Sequence, residues 1–182
     1  MKTRAVAIAI LGLLTISVAG YAYIAVTPPT EPDNRQIQQV TAPAPTKYEL
    51  GPPTAEELLE LVNAERAKAG VAPLKIDERV QKSAQLKADD MEKNNYTAHI
   101  MPSTGKVLSP EMNDLLVSAC SKSSENYYSS TKKLRTADSA FNWWMNSKPH
   151  HDAILNPDYS LTGFGIAWGE KMIVVEHFCI AR

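Results

Sequence analysis

The chain has 182 residues, of which 21% are charged, and its formal net charge at pH 7 is −1. That balance gives no electrostatic basis for a nucleic-acid partner, which needs a concentrated basic surface. The chain holds only two cysteines, with no neighbouring cysteine or histidine at ligand spacing, which argues against a structural zinc knuckle.

Residues 5–26 carry no charged side chain. As a helix these 22 residues would extend about 33 Å, enough to cross a hydrocarbon core of ~30 Å. Lys2 and Arg4 precede the run, so the short N-terminus is expected in the cytoplasm and the remainder outside. Two readings compete. One is a signal anchor that stays as a transmembrane helix over 1–26. The other is a secretory signal peptide cut near Ser17-Val18-Ala19, which releases the protein. Both export the domain. Residues 27–53 hold seven of the twelve prolines and few large apolar residues, so they read as an extended or disordered linker. The folded part is therefore expected over 54–182.

Thr54 with Glu57 forms a capping box, and Leu58, Leu61, Val62 and Ala69 follow at helical spacing up to Gly70. Asp77 caps a second helix, with Val80, Ala84, Ala88 and Met91 on one face, fraying near Asn94-Asn95. Residues 96–123 read as a long loop with a short helix near Pro110–Val117. Glu125–Ser129 is a candidate strand, Ala137–Asn146 a third helix, and Pro149–Leu155 a short helical piece. Phe164, Ile166 and Trp168 alternate with small residues, as on a half-buried strand. Gly169-Glu170 suits a tight turn, and Met172–Phe178 is a nearly continuous apolar run. Helices followed by a terminal hairpin indicate an α+β fold rather than a βαβ one.

Cys120 and Cys179 both lie on the exported side. In an oxidising compartment they read as one disulfide, closing a loop of about 60 residues and contributing ~4 kcal/mol in the chain-entropy model; the alternative is a pair of buried free thiols. No Gly-x-Ser-x-Gly element is present, so ordinary acyl transfer has no visible nucleophile.

Several segments in register resemble the CAP superfamily, which comprises cysteine-rich secretory proteins, venom antigens, plant pathogenesis-related proteins and bacterial SCP-like relatives. They are Leu61-Val62-Asn63-Ala64-Glu65-Arg66 with Pro73-Leu74, then His99, then Ser124-Glu125-Asn126. After these come Trp144-Met145-Asn146-Ser147-Lys148-Pro149-His150 with Ile154-Leu155-Asn156, Thr162-Gly163-Phe164-Gly165, and Val175-Glu176-His177-Phe178. The resemblance implies an α-β-α sandwich with a central antiparallel sheet. It also implies a surface cleft lined by His99, His150 and Glu125, where a small molecule, a lipid, or Zn²⁺ or another divalent metal would bind. Two imidazoles and a carboxylate are a sufficient ligand set for an open site. The chain departs from the family pattern in two places. Asn146-Ser147 stands where many eukaryotic members carry a second glutamate, and Ser124 stands where the family has glycine.

Each of these residues has a plainer explanation. His99 would meet a helix C-terminus favourably as a cation, Glu125 would be solvated at a strand start, and His150 would merely open a helix. His151, one residue on, is expected to be exposed or behind the site, and His177 to lie on one sheet face. Trp143 and Trp144 are expected in the core, and Asn63 and Arg66 in hydrogen bonds between layers. Three functions stay open: a membrane-tethered, extracytoplasmic binding module without enzymatic activity; a metal-assisted hydrolase with Glu125 as general base; and an envelope or adhesion protein with a vestigial cleft.

Overall fold

The computed structural model describes residues 51–131 and 134–182. The expected transmembrane helix over 1–26 and most of the linker over 27–53 lie outside the described residues. Among the described residues no helix is long and apolar enough to cross a membrane.

Helix α1 (Ala55–Lys68) starts at the capping box read from the sequence. The Thr54 amide donates to Glu57 Oε2 at 2.8 Å, and the Glu57 amide donates to Thr54 Oγ1 at 3.1 Å. Its buried stripe runs Ala55, Leu58, Val62 and ends on Arg66. A two-residue strand β1 (Lys75–Ile76) follows, and then α2 (Glu78–Lys93), whose first amides are capped by Asp77. Helix α3 (Pro110–Ala119) runs directly into β2 (Cys120–Ser130). After α4 (Ala137–Met145) and the short α5 (Lys148–Ile154), strands β3 (Leu161–Trp168) and β4 (Met172–Ala181) close the chain.

The four strands form one sheet in the order β1-β3-β4-β2. Strand β4 is central and pairs antiparallel with both β3 and β2. Strand β1 pairs parallel with β3, Lys75 opposite Leu161, so the sheet is mixed and not wholly antiparallel as expected. A strand of two residues carries no alternation to read, and its partner lies beyond five intervening elements. The expected loop over 96–123 is also corrected. It ends at Ser109, and β2 begins at Cys120, five residues before the expected strand. Polar Ser121, Lys122 and Ser123 hid that start, because β2 is an edge strand with these side chains exposed.

Apolar side chains cover both faces of the sheet. On one face α1, α4 and α5 pack Leu58, Val62, Trp144 and Ile154 against Phe164, Val174 and Phe178. On the other, α2 packs Ala84, Ala88 and Met91 against Ala167, Ile173 and Val175, and α2 with α3 buries Val80, Leu116 and Ala119 around the cysteines. The strand period of two sorts β4 accordingly. Helix α2 lies so close to β3 that a Cβ on Gly163 would fall on the backbone of Gln81, and one on Gly165 on the carbonyl of Ala84. Cys120 and Cys179 are joined, with S–S 2.06 Å and Cα–Cα 5.3 Å. The bond ties the start of β2 to the end of β4.

Arg66 is fully buried, and its guanidinium is satisfied by carbonyls alone. Nε donates to Ala72, Nη1 to Ile154 and Asn156, and Nη2 to Tyr159, at 2.6–3.0 Å. Asn63 Nδ2 donates to the Leu74 carbonyl and Asn63 Oδ1 accepts from the Leu74 amide. Both residues hydrogen-bond as the sequence suggested, but to the α1 exit and to the end of α5 and the turn after it rather than between layers.

Candidate functional site

Strand β2 is one edge of the sheet, and among the described residues it pairs with β4 alone. Successive β2 side chains point to opposite faces. Glu125 and Tyr127 face the α2 layer, where Tyr127 packs against the cluster that includes Ala84, Met91 and Val175. Asn126 and Tyr128 face the α4–α5 layer, where Tyr128 belongs to the core and Asn126 Nδ2 donates to the His150 carbonyl at 3.2 Å. The edge itself is stapled: Trp144 Nε1 donates to the Tyr127 carbonyl at 3.0 Å.

Glu125 is the centre of the arrangement. Its side chain is only 6% exposed, and both oxygens are engaged. Oε1 lies 2.7 Å from His99 Nδ1, and Oε2 lies 3.0 Å from His177 Nε2. Burial alone would raise its pKa. The hydrogen bonds with His177 and His99, and the charge of Lys87, outweigh burial and hold the carboxyl below its ordinary range. His177 reaches Glu125 because the β2–β4 register places the two residues directly opposite. Its side chain is 1% exposed, and its Nδ1 has no partner among the described residues.

His99 sits on the loop after α2, its side chain 48% exposed and its ring edge-on to Tyr127 at 4.8 Å between centroids. With Nδ1–H donated to Glu125, the neutral ring carries its lone pair on Nε2. The loop is held from below by Lys87, a fully buried α2 residue whose ammonium donates to the carbonyls of His99 and Val107.

His150, in the first turn of α5, makes no hydrogen bond to Glu125. Its ring packs against Trp143 at 4.8 Å between centroids, and its buried Nδ1 has no partner among the described residues. Burial lowers its pKa from the ordinary 6.5, and the charge of His99 lowers it further. The charge of His99 thus reaches His150, although the two residues are 51 positions apart in sequence and no direct contact joins them among the described residues. His151 turns away, with Nδ1 3.5 Å from Asp152.

The structure thus brings His99 and Glu125 together directly and adds His177, which the sequence reading had left on a sheet face. Lys87 was missed. Its signal was present: a lysine in the stripe Val80, Ala84, Lys87, Met91, at apolar spacing. Trp144 is fully buried as expected, but Trp143 is 46% exposed and lies beside His150 and 6.0 Å from the Tyr128 ring. Consecutive helical residues cannot share a face, and Trp144 takes the core position.

These residues do not form a ready metal cage. Among the described residues no group of three His, Cys, Asp or Glu side chains is close enough to hold an ion, and both Glu125 oxygens already accept from imidazoles. The ring nitrogens left without a protein partner here are the outer Nε2 of His99, once Nδ1 is given to Glu125, and the buried Nδ1 of His150; two imidazoles are the most this site could offer. Such a set suits a borderline divalent ion only weakly, with the other positions open.

Comparisons with known proteins bear on the family and the fold. The profile of the CAP, or cysteine-rich secretory protein, family matches residues 59–178. The uncharacterized protein YkwD of Bacillus subtilis is 36% identical over 110 residues, covering 60% of this chain and 41% of that protein. The membrane protein YlbC of the same organism is 29% identical over 111 residues, covering 61% of this chain and 31% of that protein. The chain spans less than half the length of these curated relatives. Among solved structures, an extracellular SCP-domain protein of Bacillus anthracis superposes with a TM-score of 0.56 at 22% identity, over 70% of this chain and 40% of that one. An outer surface protein of Borrelia burgdorferi gives 0.60 at 21% identity, over 70% and 92%. These likenesses concern the fold. With a family match over residues 59–178, from within α1 into β4, the chain belongs to the CAP family.

Proposed function

We propose that this CAP domain is a non-enzymatic binding module, held outside the cytoplasmic membrane by its N-terminal segment. Its working surface is the edge strand β2. His99 and His150 contact the bound species, a small ligand or a weakly held divalent ion such as Zn²⁺, and Glu125 stands behind them as the carboxylate that fixes the His99 tautomer. The observation that carries the reading is the buried Glu125 hydrogen-bonded to His99 at 2.7 Å, which turns the Nε2 lone pair outward. A carboxylate behind a ligand imidazole is the usual way to orient it.

The same observation weighs against the hydrolase reading. A general base works best with a pKa near the working pH and a free lone pair within reach of water. Glu125 has its pKa held down and both oxygens occupied. The extracytoplasmic placement rests on the uncharged run over 5–26 and on the relatives described as extracellular or membrane proteins.

The test uses Trp143, whose ring lies against His150. Zn²⁺ titrated into the chain at pH 7.5 should change tryptophan emission, and His150→Ala should abolish the change. Protease added to intact cells should degrade the domain. Ester or peptide hydrolysis abolished by Glu125→Gln would overturn the non-enzymatic reading.

A further inference from the structure

The structure assigns to Lys87 the role of positioning residue for His99: its buried ammonium locks the segment from Tyr96 to Val107 onto α2, so that the His99 ring stays on Glu125. This deepens the reading above and rests on it only in naming His99 as a contact residue.

Lys87 is fully buried at a position in the α2 stripe where an apolar side chain would pack as well. A buried ammonium costs several kcal/mol unless its protons are all met. Here they meet one segment at three points. Nζ donates to the carbonyl of His99, donates to that of Val107 at 2.9 Å, and lies 5.6 Å from the centre of the Tyr96 ring. The segment is fastened elsewhere too, Tyr96 Oη donating to Asp90 and Tyr127 Oη to the Thr97 carbonyl, but neither bond reaches the His99 backbone. Met101 is buried and bridges to Lys106, while Thr97, Ile100, Ser103 and Val107 are exposed. The lysine charge also acts on Glu125, the acceptor of the His99 ring. His99 is thus held twice, by its carbonyl on Lys87 and by its Nδ1 on Glu125. Losing the first hold frees the backbone that presents the ring to the second.

The experiment compares the full chain with Lys87→Met, which keeps most of the length of the side chain and removes the charge, and with Ser83→Ala. Ser83 is also buried on α2 but donates to the Met112 carbonyl, away from His99. Nitrogen-15 spectra of the histidine rings at pH 8 report the tautomer directly. Wild type and Ser83→Ala should show His99 protonated at Nδ1. Lys87→Met should show the solvent-like mixture, together with about ten- to a hundredfold faster amide exchange over 97–107. Zn²⁺ affinity should fall about ten- to a hundredfold in Lys87→Met, the usual effect of losing an outer support, and stay unchanged in Ser83→Ala. An unaltered His99 tautomer in folded Lys87→Met would overturn the proposal. Should that variant not fold, hydrogen-bond couplings from the Lys87 ammonium to the His99 and Val107 carbonyl carbons in the wild type decide the matter; their absence refutes it. A wild type that shows the Nδ1 tautomer but ignores Zn²⁺ would refute the metal reading and leave Lys87 to the tautomer comparison.

Discussion

Replacing Glu125 by glutamine removes one negative charge and almost no volume. The buried carboxylate accepts from two imidazoles, at 2.7 and 3.0 Å, and faces the Lys87 ammonium. Glutamine keeps one acceptor oxygen and turns an NH₂ toward the other histidine. One hydrogen bond to a charged group is lost, about 1.5–3 kcal/mol, and the His177 or His99 donor is left facing a donor. The expected destabilisation at pH 7 is about 2–4 kcal/mol, or ~6–12 °C in Tm for a domain of this size. The pH dependence sharpens the test. The folded-state pKa of Glu125 is depressed, so its contribution is present above the unfolded value of about 4.3 and is lost as pH falls through the folded value. The gap between wild type and Glu125→Gln, followed by calorimetry from pH 7 to pH 3, should therefore close in acid. A gap of less than 2 °C at pH 7 (about 0.5 kcal/mol), or one of constant size down to pH 3, would refute the account of Glu125 as the charged centre of the site.

Three further outcomes follow from the packing. Gly165→Ala puts a methyl group on the Ala84 carbonyl, backbone against backbone, and should cost ~1–3 kcal/mol or more, read from urea denaturation; a loss well below ~1 kcal/mol would mean that α2 does not rest on β3 as described. Glu176 is fully buried and its pKa is raised well above the ordinary value, chiefly by burial, against the opposing Thr162 hydrogen bond and Arg66 charge. Its presence therefore favours the fold below about pH 4.3 and loses that effect as pH rises through the folded pKa, so Glu176→Gln should melt no lower than wild type at pH 8; a large drop there would show that the ionised form is the one the fold uses. Replacing both cysteines by serine should cost about 4 kcal/mol for a separation of 59 residues, and an unchanged Tm would show the bond to be absent in solution.

The helices were legible because their signals are local. The Thr54–Glu57 box, the Asp77 cap and the apolar spacing of α2 each lie within a few residues. The alternation of Phe164, Ile166 and Trp168, the Gly169-Glu170 turn and the run from Met172 marked the terminal hairpin for the same reason. What escaped was set by long-range register. Nothing within β4 says that His177 stands opposite Glu125, and nothing in Lys75-Ile76 says that it adds a parallel strand to β3. His99 and Glu125 were found through segments in family order, not through spacing, since 26 residues separate them. Lys87 was passed over because a lysine on a helix is ordinarily solvated, and only the loop folded over it makes it a buried donor. Trp143 was assigned to the core on hydrophobicity, whereas the 100° step between neighbours on a helix allows only one of two adjacent tryptophans to face inward.

The central claim is that His99 and His150 converge on one bound species while Glu125 holds His99 from behind. Histidine-selective nitrogen-15 spectra recorded during a Zn²⁺ titration at pH 7.5 test it most directly, because the chain has only four histidines. The account predicts that the ring signals of His99 and His150 move together in saturable fashion, that His151 stays still, and that His99→Ala abolishes the His150 shift. Signals of all four histidines indifferent to Zn²⁺, or a shift confined to His151, would contradict it.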